Sequence, residues 1–189
     1  MKISNIKEFL NEIKTPNQLL NYMENNITYG FVGNNGKYYD NPDSDEWNDW
    51  YSVCYVQNAK QLLKSHIGIC WDQVELEREW FSHNQFNYIT IFIWFSVEHK
   101  NDYPTHSFLI YEDNNKWYWF ENAFFDCTGI HEYNSKTDAI NDIKEKFFSY
   151  AIENGWAKPE DKGLIMTNEY SKPKDNSTVQ EYLNHVTNN

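Results

Sequence analysis

The sequence predicts an α+β domain that contains an antiparallel sheet of about four strands, with helices at both ends of the chain. The length of 189 residues is that of one domain with a single buried core. Apolar residues recur at helical spacing near the N-terminus and again after residue 135. Between these segments, residues 88–121 contain three apolar runs rich in β-branched and aromatic residues, which favour strands.

The composition excludes several classes of partner. Sixteen Lys and Arg residues stand against 28 Asp and Glu residues, so the formal net charge is -12. Such a chain offers no basic surface to a nucleic-acid backbone or to an anionic membrane. Aromatic residues make up 18% of the chain, which supplies large groups to bury and argues against disorder. We therefore expect neither nucleic acid nor a membrane as a partner.

The three cysteines, an odd number, argue against a disulfide framework and for a reducing compartment. The first eight residues lack the apolar core of a signal peptide, and no run of about 18 apolar residues could span a membrane. These features predict a cytoplasmic protein. The frequent use of Asn and Lys is compatible with a bacterial or phage gene.

The N-terminal part of the chain is expected to contain two short helices and a short strand. The second helix begins at the N-cap and proline pair Thr15-Pro16, and the strand covers residues 27–32. Residues 40–49 then contain five carboxylates but lack the glycine and terminal glutamate of a calcium-binding loop. We expect a solvated acidic loop there and no metal site. Its carboxylates are Asp40, Asp43, Asp45, Glu46 and Asp49.

A single helix is predicted over residues 47–62, because its aromatic and aliphatic residues share one face. It should end near His66, since Gly68 can adopt the left-handed conformation that stops a helix. Cys54 lies in the middle of this predicted helix.

A new helix is predicted to begin at Cys70, with Asp72 in its first turn, where negative charge is favoured. Three later acidic residues are expected to form mainly a solvated face, and Arg78 is a candidate ion-pair partner for them. These acidic residues are Glu75, Glu77 and Glu79.

The centre of the predicted sheet is the almost continuous apolar run over residues 88–97, which we expect to be a strand covered on both faces. A polar loop over 99–104 ends it. Two further strands, over 106–111 and 117–121, form a hairpin through the polar residues 113–116.

The C-terminal part begins with a capping pair, Ser135 and Asp138, for a helix that stops at Gly155. A strand is predicted over about 164–167. We expect one domain over residues 1–189, with a core over about 27–170 and a tail or short docked helix over 171–189.

Cys70 is the thiol whose position favours catalysis. A thiol attacks as thiolate, and the unpaired N–H groups at a helix N-terminus stabilise that form. The same N–H groups could bind the oxyanion of a tetrahedral intermediate. Cys54, within its predicted helix, and Cys127, in a loop, lack this position, and we expect both to be packing residues.

A base and its orienting partner are expected in the hairpin, and their relation depends on its register. Opposed residues of an antiparallel pair have numbers with a constant sum. A two-residue turn at 113–114 gives 227 and pairs His106 with Glu121, whereas a turn at 114–115 or a four-residue loop gives 229 and leaves them diagonal on one face. A three-residue loop gives 228, which brings Asn122 across from His106 instead.

The order of these three residues resembles the bacterial transglutaminase-like superfamily. The resemblance covers roughly residues 27–154. It lies in a Cys at a helix start within Gly68-Ile69-Cys70-Trp71-Asp72, a His at a strand start in Thr105-His106-Ser107-Phe108-Leu109-Ile110-Tyr111, and an acid at the end of Lys116-Trp117-Tyr118-Trp119-Phe120-Glu121.

That superfamily has a papain-like α+β fold, a Cys-His-Asp triad and acyl-transfer chemistry as protease, amidase or transglutaminase. The resemblance implies that the nucleophile helix packs on one face of the sheet. It also implies Cys70 as nucleophile, His106 as general base and acid, and Glu121 as the residue that orients the imidazole.

The sequence departs from this family at the third residue and leaves the oxyanion hole open. The family uses Asp, so either the strands are spaced to suit the longer Glu121 or Asn122 takes its place. The family also has an upstream aromatic or amide side chain in its oxyanion hole. Candidates for the hole or for the cleft wall are Trp47, Trp50, Gln57, Gln61, Trp71 and Asn122.

The leading prediction is a thiol-dependent acyl-transfer enzyme that forms a thioester with a peptide or protein substrate and requires no cofactor or metal. An alternative is a non-catalytic module that keeps the fold and holds a peptide in its aromatic cleft. A third is a phage or mobile-element protein that acts on a host protein, for which an acidic surface would suit a basic target.

Overall fold

The computed structural model describes residues 2–41, 44–45, 47, 50–96 and 104–188. The chain forms an α+β fold built on a five-stranded antiparallel sheet, which confirms the predicted class and adds one strand to the number expected.

The described helices are α1 (Ile6–Glu12), α2 (Pro16–Asn26), α3 (Trp50–Val53), α4 (Ala59–Ser65), α5 (Cys70–His83), α6 (Lys136–Glu153) and α7 (Val179–Thr187). The strands are β1 (Phe31–Val32), β2 (Tyr38–Tyr39), β3 (Asn87–Phe95), β4 (His106–Asp113), β5 (Lys116–Glu121), β6 (Gly129–Tyr133) and β7 (Ile165–Glu169). The main sheet has the order β6-β5-β4-β3-β7, while β1 and β2 pair separately.

The predicted starts of α2 and α6 are confirmed by their caps. Thr15 Oγ1 accepts a hydrogen bond from the backbone N–H of Gln18 at 3.2 Å, and Gln18 Oε1 accepts one from the N–H of Thr15 at the same distance. Ser135 Oγ likewise accepts from the N–H of Asp138 at 3.1 Å. Both helices therefore begin where a side chain satisfies an unpaired N–H group.

The helices α5 and α6 cover opposite faces of the sheet. Leu109 and Phe120 face α5, and Phe108 and Trp119 lie in the cluster formed with α6. The inner strand β3 contributes buried residues to clusters on both sides, as its apolar run predicts. This arrangement brings the first residue of α5, the first residue of β4 and the last residue of β5 to the same end of the sheet.

The prediction of a single helix over residues 47–62 is wrong. The chain instead forms α3 and α4, and Cys54 between them makes an isolated antiparallel bridge with Gly33. The cause is a capping box, in which Asn58 Oδ1 accepts from the N–H of Gln61 at 3.1 Å and Gln61 Oε1 accepts from the N–H of Asn58 at 2.9 Å. This box fixes a helix start in the middle of the predicted helix.

The end of α4 and the exposed face of α5 also differ from expectation. His66, rather than Gly68, adopts the left-handed conformation after α4, with φ of 56°. Glu75 and Glu77 are each only 3% exposed, because α5 lies between the sheet and other packed segments. The expected pairing of Arg78 is found, with Glu75 Oε1 at 3.2 Å from its Nε.

Three strands differ from prediction. Within the predicted strand over 27–32, only Phe31–Val32 is regular. The short strand β2 and the edge strand β6 are not predicted from the sequence, whereas β7 confirms the strand expected near residues 164–167. The C-terminal segment docks as α7, with Val179, Tyr182 and Val186 fully buried.

Part of the predicted loops lies outside the described residues. These are Asp43, Glu46 and Asp49 of the acidic loop, together with residues 97–103 after β3. Asp40 and Asp45 are described and exposed. Among the described helices, none is long and apolar enough to cross a membrane.

Candidate active site

The register of the β4–β5 hairpin determines which side chains meet where β4 begins and β5 ends. Leu109 pairs with Phe120 and Asp113 pairs with Lys116, so the sum is 229. The two-residue turn at 114–115 has positive φ at both positions, 50° and 61°, as this type of tight hairpin requires. His106 and Glu121 are therefore diagonal neighbours on one face, one of the arrangements that the sequence left open.

The imidazole of His106 contacts the carboxylate of Glu121 directly. The distance from His106 Nε2 to Glu121 Oε2 is 2.7 Å, and both residues are buried. The diagonal position suits Glu, because its longer side chain spans the extra distance between non-opposed residues.

The carboxylate of Glu121 is saturated with hydrogen bonds. Its Oε1 accepts from the backbone N–H groups of Ala123 and Phe124, both at 2.7 Å, and its Oε2 accepts from Trp119 Nε1 at 3.1 Å. With the His106 contact, both oxygens have two partners. The turn after β5 thus provides a buried site for a negative charge.

Cys70 is the first residue of α5, and its neighbours fix the helix start. Asp72 Oδ2 accepts a hydrogen bond from the N–H of the N-cap residue Ile69 at 3.2 Å, and Asp72 Oδ1 accepts from the N–H of Gln57 at 2.7 Å. A side chain at Gly68 would not fit, since its Cβ would lie 2.9 Å from that of Asp72. These contacts hold Cys70, which is 6% exposed, at the N-terminus of the helix.

The thiol of Cys70 lies beside the imidazole of His106 and is one of the groups that raise its pKa. Because Nε2 faces Glu121, Nδ1 is the ring nitrogen that remains for the sulfur. Burial lowers the pKa of His106, but the charge of Glu121 and the contacts with Cys70 and Glu121 outweigh it and raise the pKa to about 10. The imidazole is therefore cationic at neutral pH, between a carboxylate and a thiol.

The other two thiols lie in environments that oppose ionisation. Burial, followed by the charges of Asp72 and Cys70, raises the pKa of Cys54 far above its ordinary value. Burial also raises the pKa of Cys127, with a smaller opposing effect from Lys146.

Asn122, the alternative third residue, belongs to a different contact. Its Nδ2 donates a hydrogen bond to Gln73 Oε1 at 2.6 Å, and Gln73 Nε2 donates to the carbonyl of Gly68 at 2.9 Å. Asn122 thus ties the end of β5 to the loop before Cys70, while Glu121 contacts His106.

The two glutamine candidates for the oxyanion hole are occupied by structural hydrogen bonds. Gln57 Nε2 donates to the carbonyl of Ile67 at 2.8 Å, and its Oε1 accepts from Ser65 Oγ at 2.8 Å. Gln61 caps α4, as described above, and its Nε2 donates to Asn176 Oδ1 at 2.6 Å.

The tryptophan candidates differ from the amides because two of them have unused donors. The ring of Trp71 stacks on Tyr182 at 4.3 Å between centroids and lies 5.7 Å from the ring of Trp50. The Nε1 groups of Trp47 and Trp71 are buried and have no hydrogen-bond partner among the described residues. Of the candidates named from sequence, these two therefore keep an N–H group that is not used in the fold.

A cavity of about 390 Å³ opens on His106. Its aromatic walls are Tyr29, Phe124, Phe125, Phe147 and Tyr150. These residues come from the segment before β1, from the turn after β5 and from α6. Sequence reasoning did not single them out, because nothing local marks residues so far apart as neighbours.

Comparison with known proteins adds no identification. No known family model matches the chain, and no curated protein matches it.

Proposed function

We propose that the protein is a thiol-dependent acyl-transfer enzyme that acts on a peptide, isopeptide or glutamine-type amide. Cys70 is the nucleophile, His106 is the general base and acid, and Glu121 orients the imidazole. The observation that carries the proposal is the buried 2.7 Å contact between His106 and Glu121, on an imidazole that also lies beside the Cys70 thiol.

The reacting form of the site is the Cys70 thiolate beside the cationic imidazole of His106. In the first half-reaction, the thiolate sulfur attacks the amide carbonyl carbon and an electron pair moves onto the oxygen. The N–H groups of Cys70 and Trp71 precede the first intrahelical bond of α5, which the N–H of Asp72 donates to Ile69, so they can bind this oxyanion. His106 gives its proton to the leaving amine as the C–N bond breaks. The products are a thioester on Cys70, a free amine and a neutral imidazole.

In the second half-reaction, neutral His106 takes a proton from water or from an acceptor amine, which attacks the thioester carbonyl. The C–S bond breaks, the sulfur leaves as thiolate, and the imidazole is cationic again. Water gives a carboxylic acid and an amine gives a new amide. Glu121 accepts the Nε2–H hydrogen bond throughout, so the ring keeps its tautomer and orientation.

The proposal includes a papain-like arrangement of the transglutaminase-like kind. It is supported by the chain order of Cys70, His106 and Glu121, by α5 packed on one face of an antiparallel sheet, and by the thiol at the first position of that helix. The substitution of Glu for the usual Asp is compatible with the diagonal register of the hairpin.

Alkylation kinetics test the proposal without a known substrate. With limiting iodoacetamide near neutral pH and mass mapping of the three thiols, we expect Cys70 to react at least about tenfold faster than Cys54 or Cys127. His106→Ala should slow Cys70 by about tenfold or more, because it removes the cation beside the thiol.

The matched control is His83→Ala. His83 is exposed at the end of α5, so this change should leave the rate at Cys70 unaltered. Equal labelling of the three thiols, or a rate at Cys70 that does not respond to His106→Ala, would contradict the enzyme and favour a binding module.

A further inference from the structure

The cavity beside His106 has walls that combine aromatic rings with groups that can bind a cation. The ring of Phe124 lies 5.7 Å from the imidazole of His106 and 4.8 Å from the ring of Tyr150. Tyr29 meets Phe125 edge to face at 5.5 Å. The imidazole therefore opens onto an aromatic surface that continues to the outside of the protein.

That surface remains unusually exposed at its outer rim. Phe125 is 67% exposed and Trp156, which contacts Tyr150 at 5.4 Å, is 42% exposed. Both belong to the five exposed large hydrophobic side chains among the described residues, and Phe125 is the most exposed of these. Phe125 lines the cavity and Trp156 packs on its wall residue Tyr150, and such exposed rings favour contact with a bound chain.

The polar groups of the cavity favour a cation over an anion. Asp126 is an exposed carboxylate in the wall, and its charge contributes, after burial, to the raised pKa of Tyr150. The wall contains no Lys or Arg among its described residues, and the charge of its one cationic group, His106, is compensated by the ion pair with Glu121. The hydroxyls of Tyr29 and Tyr150 form no hydrogen bond with any described residue, so both can accept from a donor brought in by a ligand.

We propose that this cavity is a subsite for an arginine or lysine side chain of the peptide substrate, next to the amide that Cys70 attacks. The inference rests on the proposed function for its place in the reaction. The aliphatic stem packs between the rings, and the cationic head lies over the aromatic faces and beside Asp126. A purely apolar side chain would bury the two hydroxyls unpaired, and an acidic one would face Asp126 in a chain of net charge -12.

Binding to the Cys70→Ser protein tests this subsite without turnover. The probes are pentapeptides of the form acetyl-Gly-Gly-X-Gly-Gly-amide in which X is Arg, Lys, norleucine, Phe or Glu. Isothermal titration calorimetry at low salt should give Arg and Lys peptides a Kd at least about tenfold lower than that of the Glu peptide and about fivefold lower than that of the norleucine peptide.

Two variants separate the charge from the shape of the cavity. Asp126→Asn should reduce the preference for Arg over norleucine to less than about twofold, and Tyr150→Phe should weaken the Arg peptide by about threefold while leaving norleucine unchanged. Asp113→Asn is the control, because it makes the same change on the exposed hairpin tip. Asp113 lies at the end of β4 that is far from His106 and the cavity.

The outcomes distinguish the subsite from the enzyme. The subsite is refuted if norleucine or Phe binds as tightly as Arg, if the preference survives Asp126→Asn, or if no peptide binds. If the cationic preference holds while Cys70 fails the alkylation test, the subsite stands as that of a binding module. If Cys70 passes and the preference is absent, the enzyme stands without this subsite.

Discussion

Glu121 and Glu77 are both buried carboxylates on facing elements, and they are in opposite situations. Glu121 is 2% exposed and has two hydrogen-bond partners on each oxygen. Glu77 is 3% exposed, and its Oε2 has no partner among the described residues. Burial, and then the charge of Glu121, raises the pKa of Glu77 well above its ordinary value.

The difference lies in what the local backbone can offer. Glu121 ends a strand, and the N–H groups of the next turn point back to its carboxylate. Glu77 lies in the middle of α5, where each backbone N–H is already used by the helix, so a buried side chain there must find its donors elsewhere. Burial alone thus disfavours the charged form of a carboxylate, whereas unused backbone donors at a strand end favour it.

The strongest way to test this comparison is to remove the saturated carboxylate. Glu121→Ala leaves the buried imidazole of His106 without its counter-ion and orphans the N–H groups of Ala123 and Phe124. We expect a loss of about 3–5 kcal/mol in the free energy of unfolding, measured by urea denaturation. Glu132→Ala, on the exposed face of β6, should change it by less than about 0.5 kcal/mol. A similar small loss in the free energy of unfolding for both variants would mean that the His106–Glu121 pair does not stabilise the folded protein.

The charge of the pair should also appear in the pH dependence of stability. His106 has a pKa of about 10 in the folded protein and about 6.5 when unfolded, so the folded state binds more protons between these values. Its contribution is complete below pH 6.5 and is lost as the pH rises towards 10, with a slope of up to about 1.4 kcal/mol per pH unit.

Glu121→Gln isolates this slope. Without the carboxylate, burial is the leading effect on His106 and lowers its pKa, so the variant should lose no stability through His106 above pH 7. Asp72, whose pKa is raised to about 7 by burial, adds its own loss between about pH 4 and 7 in both proteins and cancels in the difference. Parallel urea midpoints of the two proteins from pH 7 to 9.5 would rule out a cationic His106.

Removing the carboxylate of Glu77 should raise the free energy of unfolding, whereas removing that of Glu121 lowers it. Glu77→Met replaces a buried acid by an apolar side chain of similar length, and we expect a gain of about 1–2 kcal/mol in the free energy of unfolding at pH 7. Glu75→Met is the matched control on the same helix. It should destabilise the protein, because it breaks the pair with Arg78. If Glu77→Met costs stability instead, the carboxylate has a partner that matters.

Sequence alone could predict the parts of the fold that depend on local signals. The apolar run of β3, the hairpin and the start of α5 at Cys70 are all found, because each is marked by its own residues. The predicted helix over 47–62 is not found, because the capping box of Asn58, itself a local signal, starts a new helix within the apolar periodicity. The strand β6 could not be predicted for another reason, since it is an edge strand without a buried residue and therefore carries little apolar pattern.

For the site, chain order was enough to name Cys70, His106 and Glu121, but it could not choose between Glu121 and Asn122. That choice depends on one residue in the length of the hairpin turn, which Asn114 and Asn115 permit but do not dictate. The burial of Glu77 was missed, because a charged residue at a helical position normally indicates solvent. The cavity could not be foreseen, since its walls come from distant segments that only the tertiary fold brings together.

The smallest effect concerns the tryptophan that completes the saturation of Glu121. Trp119→Phe keeps the ring packing in the cluster with α6 but removes the 3.1 Å hydrogen bond from Nε1 to Glu121 Oε2. Because three other contacts remain on the carboxylate, we expect a loss of about 1 kcal/mol in stability and a shift of a few tenths of a unit in the pKa of His106, measured by NMR titration of the imidazole. Trp117→Phe, on the same strand, removes an indole that makes no contact with Glu121 and should leave that pKa unchanged. A shift of the same size in both variants would show that packing, rather than hydrogen bonding to the carboxylate, controls the imidazole.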